Sequence, residues 1–428
     1  MSQRDTYGLA MSCGQDAAAA YDEGLHVVLR LGQGATAAFA RSVVLEPGFA
    51  LGHAALALMG HEMCAPVDIA ARLRDARHLA ETATERERSH VHAIDSHLHG
   101  DPGPLVRHLE TWPVDALLLS TAMPTIAFAG VTEVPEQAWW IVERAAPGYG
   151  NDWWYAGLLA FVRQEQGRFD EAMDLSRTSL AEEPRAGHSA HARAHAHYET
   201  GDHEAGLAWM SDWVTGDGAS TDSLSHFSWH AALHELSMGD LDAVRRRYET
   251  QLRPDTTIGC RSLVDSASLL FRWALTPGAD DVPAMTEVIA QLEQQKLHRP
   301  ASPFLAMHAA IALLATEDRG GLVSLERWAA AHEHPTQAGV IAPLARSLRL
   351  MLDGACDQAA DGLRDLGPQT WRLGGSDAQR EVIEEARIAA LLRAGRYDEA
   401  RDLIDARLDR RHCRRDELWR REAEVTHA

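Results

Sequence analysis

Alanine, leucine, arginine and glutamate recur along this chain at three- and four-residue spacing, and glycine or proline interrupts the pattern after every one or two helix lengths. That period puts apolar side chains on one face of a helix, whereas a strand needs a period of two. Alternating runs of β-branched residues are nearly absent. Only Thr256 to Ile258 and Val340 to Ile341 hint at extended chain, and both are too short to form a strand. The pattern predicts an all-α chain. It loosens between Trp112-Pro113 and Gly150, where Pro124, Gly130, Pro135 and Pro147 fall, and again between Gly216 and Ser225. Long irregular connections are expected at 113–150 and 213–225.

A local signature recurs at the helix junctions: Gly-Arg-Phe-Asp-Glu-Ala at 167–172, Gly-Asp-His-Glu-Ala at 201–205, Gly-Asp-Leu-Asp-Ala at 239–243, Gly-Ala-Cys-Asp-Gln-Ala at 354–359 and Gly-Arg-Tyr-Asp-Glu-Ala at 395–400. Its physical sense is a helix ended by glycine, an aspartate capping the next helix, and a small alanine where the two helices approach closely. Glycine-to-glycine spacings of 34, 38 and 41 residues fit tetratricopeptide helical hairpins, and Ala160, Ala172 and Pro184 occupy that repeat's small-residue and terminal-proline positions. Towards the N-terminus, Ala37 to Leu45 ends at Glu46-Pro47, and Leu51 to Met63 begins the next hairpin. Thr84 to Arg88 opens a helix that His99-Gly100-Asp101-Pro102 stops after Leu98. Nothing resembles a glycine and serine linker. The expected architecture is one continuous helical-repeat domain over 1–428, wound as a compact right-handed superhelix. Degenerate hairpins fill 1–150, the best-formed repeats 151–260, and C-terminal repeats 261–428.

Charge narrows the partners. Sixty-two acidic against 41 basic residues leave a formal net charge of −21, which repels nucleic-acid phosphates and anionic lipid. The five cysteines, Cys13, Cys64, Cys260, Cys356 and Cys413, are isolated and never form a Cys-x-x-Cys, so neither a disulfide framework nor a zinc ribbon is expected. Residues 1–25 lack an apolar signal core and no run approaches 18 apolar residues. The expectation is a reduced, cytoplasmic protein without nucleic-acid or membrane partners.

Histidine is the compositional oddity, with 23 copies. Two pairs are spaced by four residues on helical segments one repeat apart, His191 with His195 and His226 with His230, so each pair shares a helix face. Stacked repeats would bring the pairs opposite each other. His188, His191, His195 and Glu199 trace one stripe. Neutral imidazoles so paired are candidate ligands for a divalent transition metal, completed by Asp265 or Glu199, for metal-assisted hydrolase or lyase chemistry. They also suit acid and base catalysis without metal, or plain packing between alanine-rich helices. No His-Glu-x-x-His motif is present. Asp265 lies in the apolar run Leu263 to Leu270, where a carboxylate must be paired; His230 and Arg380 are the expected partners. Gly374-Gly375-Ser376 before Arg380 reads either as an anion-holding helix N-terminus or as a tight turn with Ser376 as cap and Arg380 paired to a neighbouring acid. Trp139, Trp140, Trp153, Trp154, Trp209, Trp213, Trp229 and Trp273 crowd this middle region as core, with one or two as a pocket wall. By contrast His108, His298 and His412, and the group His90, His92, His97 and His99, are expected mostly at the surface. No Gly-x-Ser-x-Gly elbow, Walker loop or dinucleotide fingerprint occurs, and no nucleotide cofactor is expected.

With these stretches placed, the chain resembles the tetratricopeptide repeat protein 38 family over nearly its whole length. The resemblance is carried by Arg86-Glu87-Arg88-Ser89-His90, Trp112-Pro113-Val114-Asp115-Ala116-Leu117, Leu159-Ala160-Phe161, His191 to His195, His226 to His230, Leu263 to Ser268 and Gly374-Gly375-Ser376-Asp377-Ala378-Gln379-Arg380-Glu381. In the last, Asp377 and Glu381 stand where the family carries histidine and aspartate. The resemblance implies a compact tetratricopeptide-like fold and transfers no activity. Three functions remain open: a binding protein taking a small molecule or peptide in a concave pocket lined by histidine; an enzyme using His191, His195, His226, His230, Asp265 and Arg380 as ligands or as acid and base; and an open protein-interaction scaffold. A homodimer is compatible with each. The irregular segments at 113–150 and 213–225 favour a closed pocket.

Overall fold

The computed structural model describes residues 3–62, 65–125, 135–257 and 259–425. Helices succeed one another through this whole length, and consecutive helices pack side by side as hairpins. The chain is all-α, built of tetratricopeptide-like helical repeats. Among the described residues the strands amount to a two-residue ladder, Gln3–Arg4 against Ala10–Met11.

The junction signature works mainly through its glycines. Gly167, Gly201, Gly239, Gly354 and Gly395 all have φ between +72° and +77°, the left-handed conformation that ends a helix at little cost only for glycine. The aspartates divide by position. Asp240 caps the next helix, Leu241–Arg247, accepting from the Ala243 N–H at 2.9 Å. Asp170, Asp357 and Asp398 lie inside the first turn of their helices instead, where a negative charge meets the positive end of the helix dipole. Ala172, Ala359 and Ala400 are buried at close helix contacts, as the signature implies. At the second signature Ala205 is exposed, and Gly206 takes the close position.

Two expected loops are more regular than the sequence pattern suggests. Within 113–150 the chain forms the helices Ala116–Ala122 and Pro135–Tyr149, the latter carrying Pro147 in its last turn. Proline there removes an N–H bond near a helix end, where the loss is small. Residues 126–134 of that expected loop lie outside the described residues. The 213–225 segment contains a short 3-10 turn, Asp217–Ser220, before the helix Leu224–Met238 starts.

The helices form two compact units, Met1–Arg193 with Asp217–Asp222, and Ala194–Gly216 with Ser223–Ala428. In the first, Gln15–Leu29 packs on Ala35–Leu45, Ala50–Glu62 on Ile69–Ala80, Glu85–Leu98 on Gly103–Thr111, and Trp153–Glu165 on Phe169–Glu182. Its core includes Tyr21, whose ring lies 5.3 Å from Phe39 and 5.4 Å from Phe49. In the second, His203–Thr215 packs on Leu224–Met238, Arg319–Ala330 on Ala342–Leu352, and Tyr397–Arg410 on Arg414–Val425.

The glycine-rich stretch at 374–381 is a structural turn. Ser376 and Gln379 form a reciprocal capping box at the start of Asp377–Arg393, and Arg380 donates to the Gly374 carbonyl at 3.1 Å and pairs with Asp377. Gly375 (φ +68°) lies so close to Phe304 that an added Cβ would sit 2.2 Å from its Cε2 atom. Gly375→Ala is therefore expected to cost about 3 kcal/mol, left-handed strain plus overpacking. Urea unfolding monitored by circular dichroism checks this; an unchanged midpoint would mean that Phe304 and the turn relax freely.

Candidate functional site

Leu224–Met238 is buried on nearly every side, from His226 through Ser237. A helix buried all round normally carries only apolar side chains; this one carries His226, His230 and His234. The partner that makes His226 tenable comes from the π-helical turn Ser262–Ala267. The wider i→i+5 turn is rare and often found at functional sites. Its Asp265, fully buried, accepts a hydrogen bond from His226 Nδ1 at 2.8 Å on Oδ1 and from Ser225 Oγ at 3.1 Å on Oδ2. The partner of Asp265 is thus His226 with Ser225, rather than His230 or Arg380 as the sequence suggests.

From His226 the imidazoles continue in a line. His230 packs edge-on to His226 with centroids 4.8 Å apart, and His195 edge-on to His230 at 4.6 Å. The ring nitrogens of His195 and His230 lie within 4.8 Å of one another. Trp229, fully buried, stacks on His226 at 5.4 Å, with the Arg272 guanidinium 5.9 Å from its ring centroid. Burial alone would raise the Asp265 carboxyl, but the bonds from His226 and Ser225 and the charge of Arg261 hold it below its ordinary range. Burial pushes the imidazoles the other way. His195 falls to about 3, with His226 and Arg380 adding to the effect, and His230 falls well below its usual value. At neutral pH the line is an ionised carboxylate beside uncharged imidazoles. Asp265 accepts from Nδ1–H of His226, which leaves Nε2 of that ring as the hydrogen-bond acceptor.

Of the other candidates, Glu199 and Arg380 go elsewhere. His191 lies one turn before His195 on Gly187–Glu199, in the stretch belonging to the first unit, and its ring stacks on Phe161 at 5.2 Å. Glu199 pairs with Arg411 at 2.9 Å, so the carboxylate that joins the histidines is Asp265. Arg380 stays on its own turn. All of the joined imidazoles are about 1 % exposed, inside the helix stack rather than on the wall of an open groove. A groove of about 410 Å³ in the second unit lies elsewhere, lined by Tyr248, Arg253, Asp255 and Glu287.

Sequence reasoning missed several members. His308, on Pro303–Ala315, is buried and pushed down to about 4 by burial; its Nδ1 donates to the Phe304 carbonyl at 3.0 Å. The signal was present, since its helix is otherwise almost wholly apolar. His90 and His108, expected at the surface, are buried in the first unit around Asp115. Asp115 Oδ2 accepts from His90 Nδ1 at 2.8 Å, His108 Nε2 at 3.0 Å and Arg86 Nη2 at 2.6 Å. Burial raises this carboxyl, but Arg86 and the two imidazoles outweigh it and hold Asp115 well below its ordinary range. Here the signal was spacing. Leu105, His108 and Leu109 share one buried stripe, as do Arg86, His90 and Ile94. Groups with metal-ligand spacing in this unit are His90, His108 and Asp115, and His61, Glu62 and His97. In the former, a dication would meet the Arg86 guanidinium already bound to its carboxylate.

No family model matches the chain. Among solved structures it is similar to one described as the crystal structure of the P58(IPK) TPR domain, at 13 % identity over 89 % of this chain and 99 % of that one, with a TM-score of 0.21. Superposition that loose adds nothing to the site, and the repeat architecture rests on the helices and junctions themselves. Among the described residues no helix is long and apolar enough to cross a membrane.

Proposed function

We propose that this helical-repeat protein binds a small molecule at the histidine line of the second unit, with His195, His226, His230 and Asp265 as the recognising groups. The observation that carries the reading is Asp265, an ionised and fully buried carboxylate placed by a π-helical turn against His226. Burying that charge and three imidazoles costs stability that an apolar core would not, and such costs concentrate where a protein acts on something else. An uncharged imidazole carries one donor and one acceptor nitrogen, chemistry suited to a neutral polar ligand. Trp229 adds an aromatic face. A peptide segment is the alternative ligand of this same reading, and a homodimer is compatible with it. A member of the tetratricopeptide repeat protein 38 family is what the quoted stretches suggest, and Asp377 in the exposed first turn and Glu381, paired with Arg411, are where this chain departs from it.

A second reading shares the same atoms. Asp265 fixes the proton of His226 on Nδ1, which makes Nε2 the basic nitrogen of that ring, the tautomer an acid–base enzyme requires. His195 and His230 have nitrogens close enough to share a transition metal.

A thermal-shift screen of polar metabolites and of Zn²⁺, Co²⁺ and Ni²⁺, run on wild type beside His230→Ala and Asp265→Asn, separates these readings. A ligand that raises Tm by several degrees in wild type and does nothing in the variants is expected. A metal that alone gives this behaviour moves the enzyme reading forward. Shifts that persist in both folded variants would remove the histidine line as the site.

A further inference from the structure

The Asp115 cluster of the first unit, separate from the proposed binding residues, contains a third element. Ser89 Oγ lies 2.9 Å from His108 Nδ1, and His108 Nε2 lies 3.0 Å from Asp115 Oδ2. Serine hydroxyl, imidazole and carboxylate thus stand in one hydrogen-bonded line. We propose that Ser89 is an activated nucleophile, with His108 as its general base and Asp115 as the carboxylate that orients the imidazole, acting on small carboxylic esters.

The protons follow from the partners. Arg86 and His90 both donate to Asp115 Oδ2, so this oxygen is an ionised acceptor. His108 must then carry its proton on Nε2, facing Asp115, and its Nδ1 lone pair faces Ser89, whose hydroxyl donates to it. That is the tautomer a general base needs. The Trp112 ring, 4.8 Å from the imidazole and tilted by 33°, keeps the plane of His108 in place. Arg86 and His90 occupy the same carboxylate and keep it from turning away.

Three different elements supply the line: Ser89 on Glu85–Leu98, His108 on Gly103–Thr111, and Asp115 directly before Ala116–Ala122. His108 and Asp115 are about 1 % exposed, while Ser89 is only partly buried. The base and the carboxylate are shielded from water, and the nucleophile is the member a substrate reaches.

In the reaction, a bond forms between Ser89 Oγ and the ester carbonyl carbon as the hydroxyl proton passes to His108 Nδ1. The ester C–O bond then breaks and the alcohol leaves with that proton. Water attacks the acyl-serine by the same route, giving the carboxylic acid and restoring Ser89.

The test uses the full-length protein with diisopropyl fluorophosphate, which phosphorylates such serines with loss of fluoride, and p-nitrophenyl acetate as the ester. Intact-mass spectrometry of wild type should show one adduct, mapped by digestion to Ser89, and ester hydrolysis above the buffer rate. Ser89→Ala, whose melting confirms that it folds, should lower both by at least tenfold. A Ser89→Cys variant gives a second reading: iodoacetamide should alkylate the new thiol at pH 7 at least tenfold faster than it alkylates glutathione. Absence of an adduct at Ser89 in wild type, labelling and hydrolysis unchanged in Ser89→Ala, or an ordinary alkylation rate at the introduced thiol overturns the proposal.

Discussion

Between pH 7 and pH 5 the protein is expected to lose most of its folding stability. Burial lowers His195 to about 3 and His188, His203 and His308 to about 4, while the same groups in an unfolded chain titrate near 6.5. As pH falls through that value the unfolded chain takes up protons that the folded chain does not, so stability falls with acidification. Each such histidine contributes a slope of up to about 1.4 kcal/mol per pH unit until its folded value is reached. Four of them acting from pH 6.5 to pH 5 amount to roughly 8 kcal/mol, within the range of a domain's whole stability. Asp5 and Asp222 oppose this, since burial raises both to about 6 and the folded state gains as they protonate. Their offset begins near pH 6, and Asp22, Asp152 and Glu235, also raised by burial, add to it, while His226, His230, His234 and His90, also lowered, add to the losing side. Urea midpoints at half-unit steps from pH 8 to pH 5 measure the slope. A flat profile would show that these imidazoles are accessible to protons in the folded protein.

The second large effect lies in the charge network of the C-terminal helices. Glu385 Oε1 accepts from Arg272 at 2.7 Å and also pairs with Arg415, and the side chains of all three are 3 % exposed or less. Nearby, Arg407 pairs with Asp416 at 2.8 Å and Glu384 at 2.6 Å, and Arg411 with Glu381. Opposite charges taken out of water together roughly cancel their desolvation cost, but removing one leaves the others unpaired. Glu385→Ala leaves two buried guanidinium groups without their shared carboxylate and is expected to cost about 4 kcal/mol. The exposed pair Arg319 with Asp353 is the control, and Asp353→Ala should leave the urea midpoint unchanged within error. Equal effects from the two substitutions would show that water reaches Glu385 and screens it.

How much of this was legible can be followed residue by residue. The five junction glycines identified the hairpins because a left-handed φ at a helix end is a local demand that only glycine meets cheaply. Ser376 and Gln379 disclosed their capping box for the same reason: the partners are three residues apart. The spacing of His226 and His230 correctly placed them on one face, and the apolar surroundings of Asp265 showed that it needed a partner. The identity of that partner was not legible. His226 is 39 residues away, and the π-helical turn that aims Asp265 at it has no local signature. His108 misled because the charged Arg107 and Glu110 flank it closely, while the groups that hydrogen-bond it, Ser89 and Asp115, arrive from other elements.

The sequence by itself determined what depends on contacts a few residues apart: helical periodicity, the glycine junctions, the caps, and the pairing of histidines on a face. Tertiary structure alone decided which ionisable groups meet. It joined Asp265 to His226 rather than Arg380, sent Glu199 to Arg411, and gathered Ser89, His90 and His108 around Asp115. The physical reason is one of range. Helix formation and capping are short-range and repeat with every turn, so the chain spells them out locally. A buried charge takes whichever partner the packing of distant helices brings within hydrogen-bonding distance, and no spacing along the chain encodes that choice.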